Sequence, residues 1–147
     1  MFDPRAGLNL ALAEAFHSLA GKAHGLLVVA ADLPLLRPAD IMALLASGRT
    51  DALALGPSKE GIGTNAMLMP PGVTLHPAYG DGSLAAHRHH ARILGLRIVN
   101  VVRPGLAFDL DTEADLRLFY GNALVRSHAA RLLGCGDAGA PPPPRAG

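Results

Sequence analysis

The chain has no tryptophan and a single cysteine, Cys135, and aromatic residues make up only 4% of its 147 positions. One thiol cannot close an intrachain disulfide or build a cysteine cluster for a metal, which fits a reducing, cytoplasmic setting. Charge is also scarce: Asp, Glu, Lys and Arg make up 17% of the sequence, while half of it is hydrophobic. So little charge is low for a freestanding soluble domain, and points to surface covered by something outside this sequence. Thirteen basic residues nearly balance twelve acidic ones, so there is no electrostatic case for nucleic-acid or anionic-membrane partners. No apolar run approaches the roughly 18–20 residues that span a bilayer. The start of the sequence carries no basic stretch followed by a signal-peptide core. A Walker-type phosphate loop, a GxGxxG fingerprint, HExxH and GxSxG are all missing, which removes the sequence support for P-loop, dinucleotide, zinc-protease and serine-hydrolase chemistry.

What is present centres on residues 26–36, LLVVAADLPLL. The uninterrupted apolar run Leu26 to Ala30 predicts a strand buried on both faces of a parallel sheet, and Pro34 stops its pairing. Asp32 then falls at the carboxyl end of that strand, where open α/β sheets gather ligands. The same aspartate equally suits a turn or cap. Before this strand, Asn9 is read as the cap of a helix reaching Leu19, with Leu8, Leu12, Phe16 and Leu19 on one apolar face. After it, residues 39–47 are expected to be a helix burying Ile41, Leu44 and Leu45.

Residues 51–56 read as a strand, PSKEGIGTN as a loop and AMLMP as a short strand. Ser83 is expected to cap a helix running to about Leu94, and residues 96–102 form another strand. A last helix starts at a capping box, Thr112 with Asp115 in the usual Glu place, and presents Leu116, Phe119, Ala123 and Leu124 to a core. The alternation predicts a three-layer α/β domain, mainly parallel with a possible antiparallel edge. That domain is placed at residues 1–134, with 135–147 a disordered Pro/Gly/Ala-rich tail. The sheet is expected to be truncated on its amino-terminal side, because residue 1 leads almost directly into a helix.

Four groups of residues can carry chemistry. If the strand ending at Asp32 and the segment AFDLD share an edge, Asp32, Asp109 and Asp111 can offer Mg²⁺ hard oxygen ligands. Otherwise the last two only open a helix. Gly61, Gly63, Thr64 and Asn65 can give donors to a phosphate or base, or make a simple turn. Gly80, Gly82 and Ser83 can set a phosphate at a helix amino terminus, or Ser83 can be a plain cap. In HRHH, His87 and His90 fall on one helical side; His87 suits contact with an anionic substrate better than zinc. Lys59 and Arg88 flank the two phosphate-facing segments.

In order, VVAADLPLL, GIGTNAM, YGDGSLAAH and FDLDTEADL resemble the motifs of the 2-phospho-L-lactate or phosphoenolpyruvate guanylyltransferases of coenzyme F420 biosynthesis, over about residues 3–120. The resemblance implies a nucleotide-diphospho-sugar-transferase-like fold lacking its amino-terminal nucleotide-binding portion. It also implies transfer of GMP from GTP to the phosphate of a small organic acid, with release of pyrophosphate. On this resemblance Asp32 and Asp109 are the catalytic, Mg²⁺-holding pair assisted by Asp111, and Thr64, Asn65, Gly80 and Ser83 contact substrate. Ile62 and Ala114 depart from the family's usual residues. A separate amino-terminal half or a homo-oligomer is an expected partner. A nucleotidyltransferase of different base or acceptor, or a catalytically silent subunit, stays open as an alternative.

Overall fold

The computed structural model describes residues 4–19, 22 and 24–121. The chain divides into two compact units, Met1–Leu110 and Asp111–Gly147. The first contains α1 (Pro4–Leu19), β1 (Leu26–Val29), α2 (Pro38–Ala46), β2 (Ala52–Pro57), β3 (Thr64–Met69), α3 (Ser83–Ile93), β4 (Arg97–Asn100) and α4 (Pro104–Ala107). The second contributes α5 (Glu113–Gly121). The expected boundary at 134, the tail, Ala123 and Leu124 lie outside the described residues.

The four strands among the described residues form one sheet in the order β1-β3-β2-β4. β1, β2 and β4 run in one direction, but β3 runs against both of its neighbours, so two of the three pairings are antiparallel. The expected mainly parallel sheet with an antiparallel edge is thus corrected: the reversed strand lies inside. The cause is local. The 58–63 turn folds β3 straight back onto β2 as a hairpin, whereas the chain between β2 and β4 runs through β3 and then α3, long enough to bring β4 back parallel to β2.

Strand alternation sorts the core into two layers. Leu53, Leu55, Met67 and Met69 face Phe16 of α1 and Leu84 and Ala91 of α3. Ala54, Ala66 and Leu68 face Leu44 of α2 and Leu106 of α4. Helices therefore cover both faces, giving the three-layer mixed α/β arrangement. β2 and β3 hold the fully buried positions, while β1, at the edge among the described strands, is only half-buried. β1 packs on both faces, Leu26 and Val28 against one layer and Leu27 and Val29 against the other, but each of its residues is only half-buried, not fully buried as expected.

Helix α1 starts before Asn9, so Asn9 is not a cap. Its side-chain amide instead donates to the Tyr79 carbonyl at 3.0 Å and accepts from the Tyr79 N–H at 2.9 Å. Phe16 is buried and Leu12 packs against the same layer, whereas Leu8 and Leu19 are exposed. On α2, Leu44 is buried and Leu45 is exposed. The α5 box forms as read: Thr112 N–H donates to Asp115 Oδ2 at 2.9 Å, and Asp115 N–H to Thr112 Oγ1 at 3.2 Å. Leu116, however, is exposed.

A buried carboxylate locks α2 to the segment after β4. Asp40 accepts from the Arg37 backbone N–H at 3.0 Å and from Arg103 Nε at 2.9 Å. Gly105 passes so close that a β-carbon there overlaps the Asp40 carboxylate and comes within 2.7 Å of the Leu35 carbonyl. Gly105→Ala is therefore expected to lower unfolding free energy by about 2 kcal/mol or more through overpacking. Gly7→Ala, in an exposed helical position with nothing within 4 Å of the added carbon, should raise it by about 0.5–1 kcal/mol. Denaturant unfolding of both variants measures the difference.

Candidate functional site

Because β3 opposes its neighbours, one edge of the sheet collects the carboxyl ends of β1, β2 and β4 and the start of β3. Asp32 follows β1, Lys59 follows β2, Asp109 follows β4 and α4, and Thr64 opens β3. The 107–110 segment crosses directly beside the first of these: Leu110 N–H donates to the Asp32 carbonyl at 3.1 Å. Asp32 is exposed. Asp109 is 7% exposed, and its carboxylate lies 3.5 Å from Lys59 Nζ. The same ammonium sits 5.2 Å from the centre of the Phe108 ring, and the Lys59 N–H donates to the Ala107 carbonyl at 2.8 Å. Lys59 is thus anchored to the segment that carries Asp109.

What holds β1 and the 106–107 segment together is Asn65. The register between β2 and β3 shifts between Gly56, opposite Ala66, and Pro57, opposite Thr64. Asn65 is the extra residue of a bulge, and bulges re-aim side chains. Its carbonyl accepts from Ala30 N–H at 2.8 Å, and its side-chain amide donates to the carbonyls of Leu106 and Ala107 at 3.0 and 3.4 Å. Asn65 is buried with this amide directed into the protein. Thr64 and Asn65 lie in a strand, not in the loop expected from GIGTN. The Gly-Pro pair in β2 was the available signal, since both residues weaken regular pairing.

Thr64 turns the other way, toward α3. Its N–H donates to Ser83 Oγ at 2.9 Å, and its hydroxyl lies 3.0 Å from His87 Nδ1. Leu84 N–H also donates to the Ile62 carbonyl at 3.0 Å, leaving the Ile62 side chain exposed. Ser83 opens α3 after Gly82, whose φ of 72° is the left-handed conformation glycine allows. The Ser83 hydroxyl therefore ties α3 to β3 and does not cap its own helix. Gly80 is exposed at the same turn, and its carbonyl accepts from Ser83 N–H at 3.1 Å.

His87 is fully buried. Its Nε2 accepts from Ala78 N–H at 3.2 Å, and its other nitrogen meets Thr64. The expectation that His87 touches an anionic substrate directly is corrected: both ring nitrogens are occupied inside the protein. Burial, and secondarily the charge of His90, hold its pKa down at about 4. The Tyr79 ring packs edge-on at 4.9 Å, and burial raises the Tyr79 hydroxyl to about 12.

Among the described residues no group of three His, Cys, Asp or Glu side chains is arranged to hold a metal ion. The expected three-carboxylate set of Asp32, Asp109 and Asp111 does not form as one ligand cluster. Asp109 is instead paired with Lys59. Two carboxylate-bearing segments in contact still fit Mg²⁺, which keeps several waters and takes one or two protein carboxylates beside substrate phosphates. A cavity of about 460 Å³ opens beside His24, Leu27 and Pro70, at the opposite end of β1, far from this chemistry. A cleft of about 280 Å³ is lined by Lys59, Gly61, Arg88 and Asn100.

The family model for CofC-like guanylyl transferases matches residues 1–127, and the chain belongs to that family. It is 40% identical over 126 residues to the phosphoenolpyruvate guanylyltransferase of Sphaerobacter thermophilus, an alignment covering 85% of this chain and 61% of the relative. The enzyme of the same name from Rubrobacter xylanophilus is 41% identical over 112 residues, 75% of this chain and 55% of the relative. That from Streptomyces coelicolor is 39% identical over 141 residues, 92% of this chain and 65% of the relative. The chain therefore spans about three fifths of the length of the relatives it matches. Among the described residues no helix is long and apolar enough to cross a membrane.

The His87 environment has a measurable consequence for stability. An imidazole with its pKa lowered from 6.5 to about 4 binds its proton better in the unfolded chain. Stability is thus fully present above pH 6.5 and falls as pH drops from there toward 4, by about 3 kcal/mol across the window. Urea unfolding between pH 7.5 and 4.5 should show this decline, and a non-titrating His87→Gln variant should lose that portion of it.

Proposed function

We propose that this chain carries the metal-facing and acceptor-facing portion of a guanylyltransferase that joins GMP from GTP to the phosphate of a small phosphorylated organic acid. Phosphoenolpyruvate or phospholactate fits that description, in coenzyme F420 biosynthesis. Family membership supplies the reaction class. The structural observation that supports it most is the Leu110 N–H to Asp32 carbonyl bond, which sets two acidic segments side by side at the sheet edge where Thr64 and Ser83 also lie.

In this reading an oxygen of the acceptor phosphate attacks the α-phosphorus of GTP. The bond from that phosphorus to the β-phosphate oxygen breaks, and pyrophosphate departs with the electron pair. The nucleophile is already ionised near neutral pH, so no strong side-chain base is needed, and alignment and charge screening carry the catalysis. Asp32 and Asp109 would hold Mg²⁺. Bound magnesium supplies screening of the oxygen charge that accumulates on the phosphates. Lys59 balances Asp109 and lines the adjoining cleft. The Thr64 and Ser83 hydroxyls with the Gly80 turn receive the acceptor. The rest of the nucleotide site is assigned to a portion corresponding to the unmatched part of the relatives, supplied by a separate polypeptide or a longer chain.

The test measures pyrophosphate release from GTP and phosphoenolpyruvate or phospholactate with Mg²⁺. It uses the chain alone and with the unmatched remainder of the Sphaerobacter thermophilus enzyme added as a second polypeptide. Asp32→Asn and Asp109→Asn should each lower turnover about 100-fold or more. Asp51→Asn, at the opposite end of β2 in an exposed pair with Arg97, should leave it within about twofold. Metal-dependent release with ATP, CTP or UTP in preference to GTP would replace the base assignment. No release in either setting would favour a silent subunit.

A further inference from the structure

His87 is a buried titratable group that no catalytic step above uses. Its Nε2 lies 3.2 Å from Ala78 N–H. A backbone N–H can only donate, so Nε2 must present its lone pair. In a neutral imidazole the proton is then on Nδ1, which lies 3.0 Å from Thr64 Oγ1 and donates to it. A hydroxyl that accepts this bond keeps its own single proton directed elsewhere.

Ser83 repeats the pattern beside it. Its hydroxyl oxygen accepts from Thr64 N–H at 2.9 Å, which leaves its proton available as well. Two neighbouring hydroxyls therefore serve as acceptors in these bonds, and each keeps its own proton for one further bond. A pair of donors set this way suits an anionic oxygen and disfavours a ligand group that itself donates. Thr64 is 5% exposed and Ser83 is 3% exposed, so the group they meet must be a small terminal oxygen and not a bulky face. Tyr79 packs edge-on against the ring, and its backbone is clamped from the far side by Asn9. That clamp holds the 78–79 backbone, and with it the donor that sets the tautomer.

We propose that His87, as the Nδ1–H tautomer, is a positioning residue that orients the Thr64 hydroxyl as a hydrogen-bond donor to a carboxylate or phosphate oxygen of the acceptor acid. The inference rests on the proposed guanylyl transfer for its substrate and on the Ala78–His87–Thr64 chain for its geometry. His87 acts from behind Thr64 and touches no reacting atom.

Two variants separate donation to Thr64 from simple core packing. Asn places an amide nitrogen near the Nδ1 position and keeps the donor, while Gln places its amide near Nε2, can still serve Ala78, and loses the bond to Thr64. In the two-polypeptide assay, His87→Gln should raise the KM for phosphoenolpyruvate about tenfold, the scale of one lost hydrogen bond to a charged group, with kcat within about threefold. His87→Asn should restore KM to within about threefold. In a Thr64→Val background, His87→Gln should add no further increase, because the hydroxyl it orients is gone. Equal KM for His87→Gln and the parent, or the same increment with and without the Thr64 hydroxyl, overturns the proposal.

A second readout needs no turnover. ¹⁵N NMR of the histidine-labelled chain should show His87 protonated at Nδ1 and bare at Nε2 from pH 6 to 8, and a ring protonated at Nε2, or doubly protonated near pH 7, overturns it. If no transfer is seen with any acceptor, the proposed activity falls, and the ring state alone decides this inference.

Discussion

The bulge at Asn65 is the constraint on which the sheet edge depends. A regular strand would send Asn65 to the same face as Met67 and Met69, into an apolar layer where its amide has no partner. The one-residue slip opposite Gly56-Pro57 sends it toward α4 instead, where it reaches the Leu106 and Ala107 carbonyls. Leaving such a buried amide unsatisfied costs about 1–3 kcal/mol, so the bulge and the α4 segment support each other. The same slip turns Thr64 toward α3. A single irregularity thus gives two adjacent residues opposite duties, one binding the acidic segments together and the other facing Ser83 and His87.

Electrostatics at this edge is arranged by anchoring and not by accumulation of charge. Lys59 is fixed by its backbone to Ala107 and by its ammonium near Asp109 and Phe108. On the neighbouring side, Asp40 ties the start of α2 to Arg103, with Gly105 giving the space for it. Both pairs bind the 103–110 segment to elements that precede it in the chain. A segment held in this way can carry an acidic group at a fixed place without a metal to organise it.

Much of the layout was legible in the amino-acid pattern. The run LLVVAADLP gave a strand ending in acid, the spacing of Leu12 and Phe16 gave the inward side of α1, and Thr112 with Asp115 gave the start of α5. Strand direction was not legible, because an apolar run reads the same whichever way its neighbour points, and so the interior reversed strand was missed. Long-range polar pairs were also invisible: Asn9 bonds a residue seventy positions away, and Asp40 pairs with Arg103 only because β4 returns beside α2. Ser83 and Asn9 both have the composition of helix caps, yet tertiary partners claimed their side chains. The role of His87 was misread for a related reason: helical spacing tells which side a histidine is on, but not that a backbone donor and a threonine wait there for it.

The account stands or falls on whether Asp32 and Asp109 serve one cation. Manganese substituted for magnesium in the ¹⁵N-labelled chain tests this directly, because its paramagnetism broadens amide signals only near the bound ion. The account predicts that amides of residues 31–33 and 108–110 broaden together at low stoichiometry, while those of residues 24–26 at the far end of β1 stay sharp. Broadening confined to one acidic segment, or centred away from both, would contradict it.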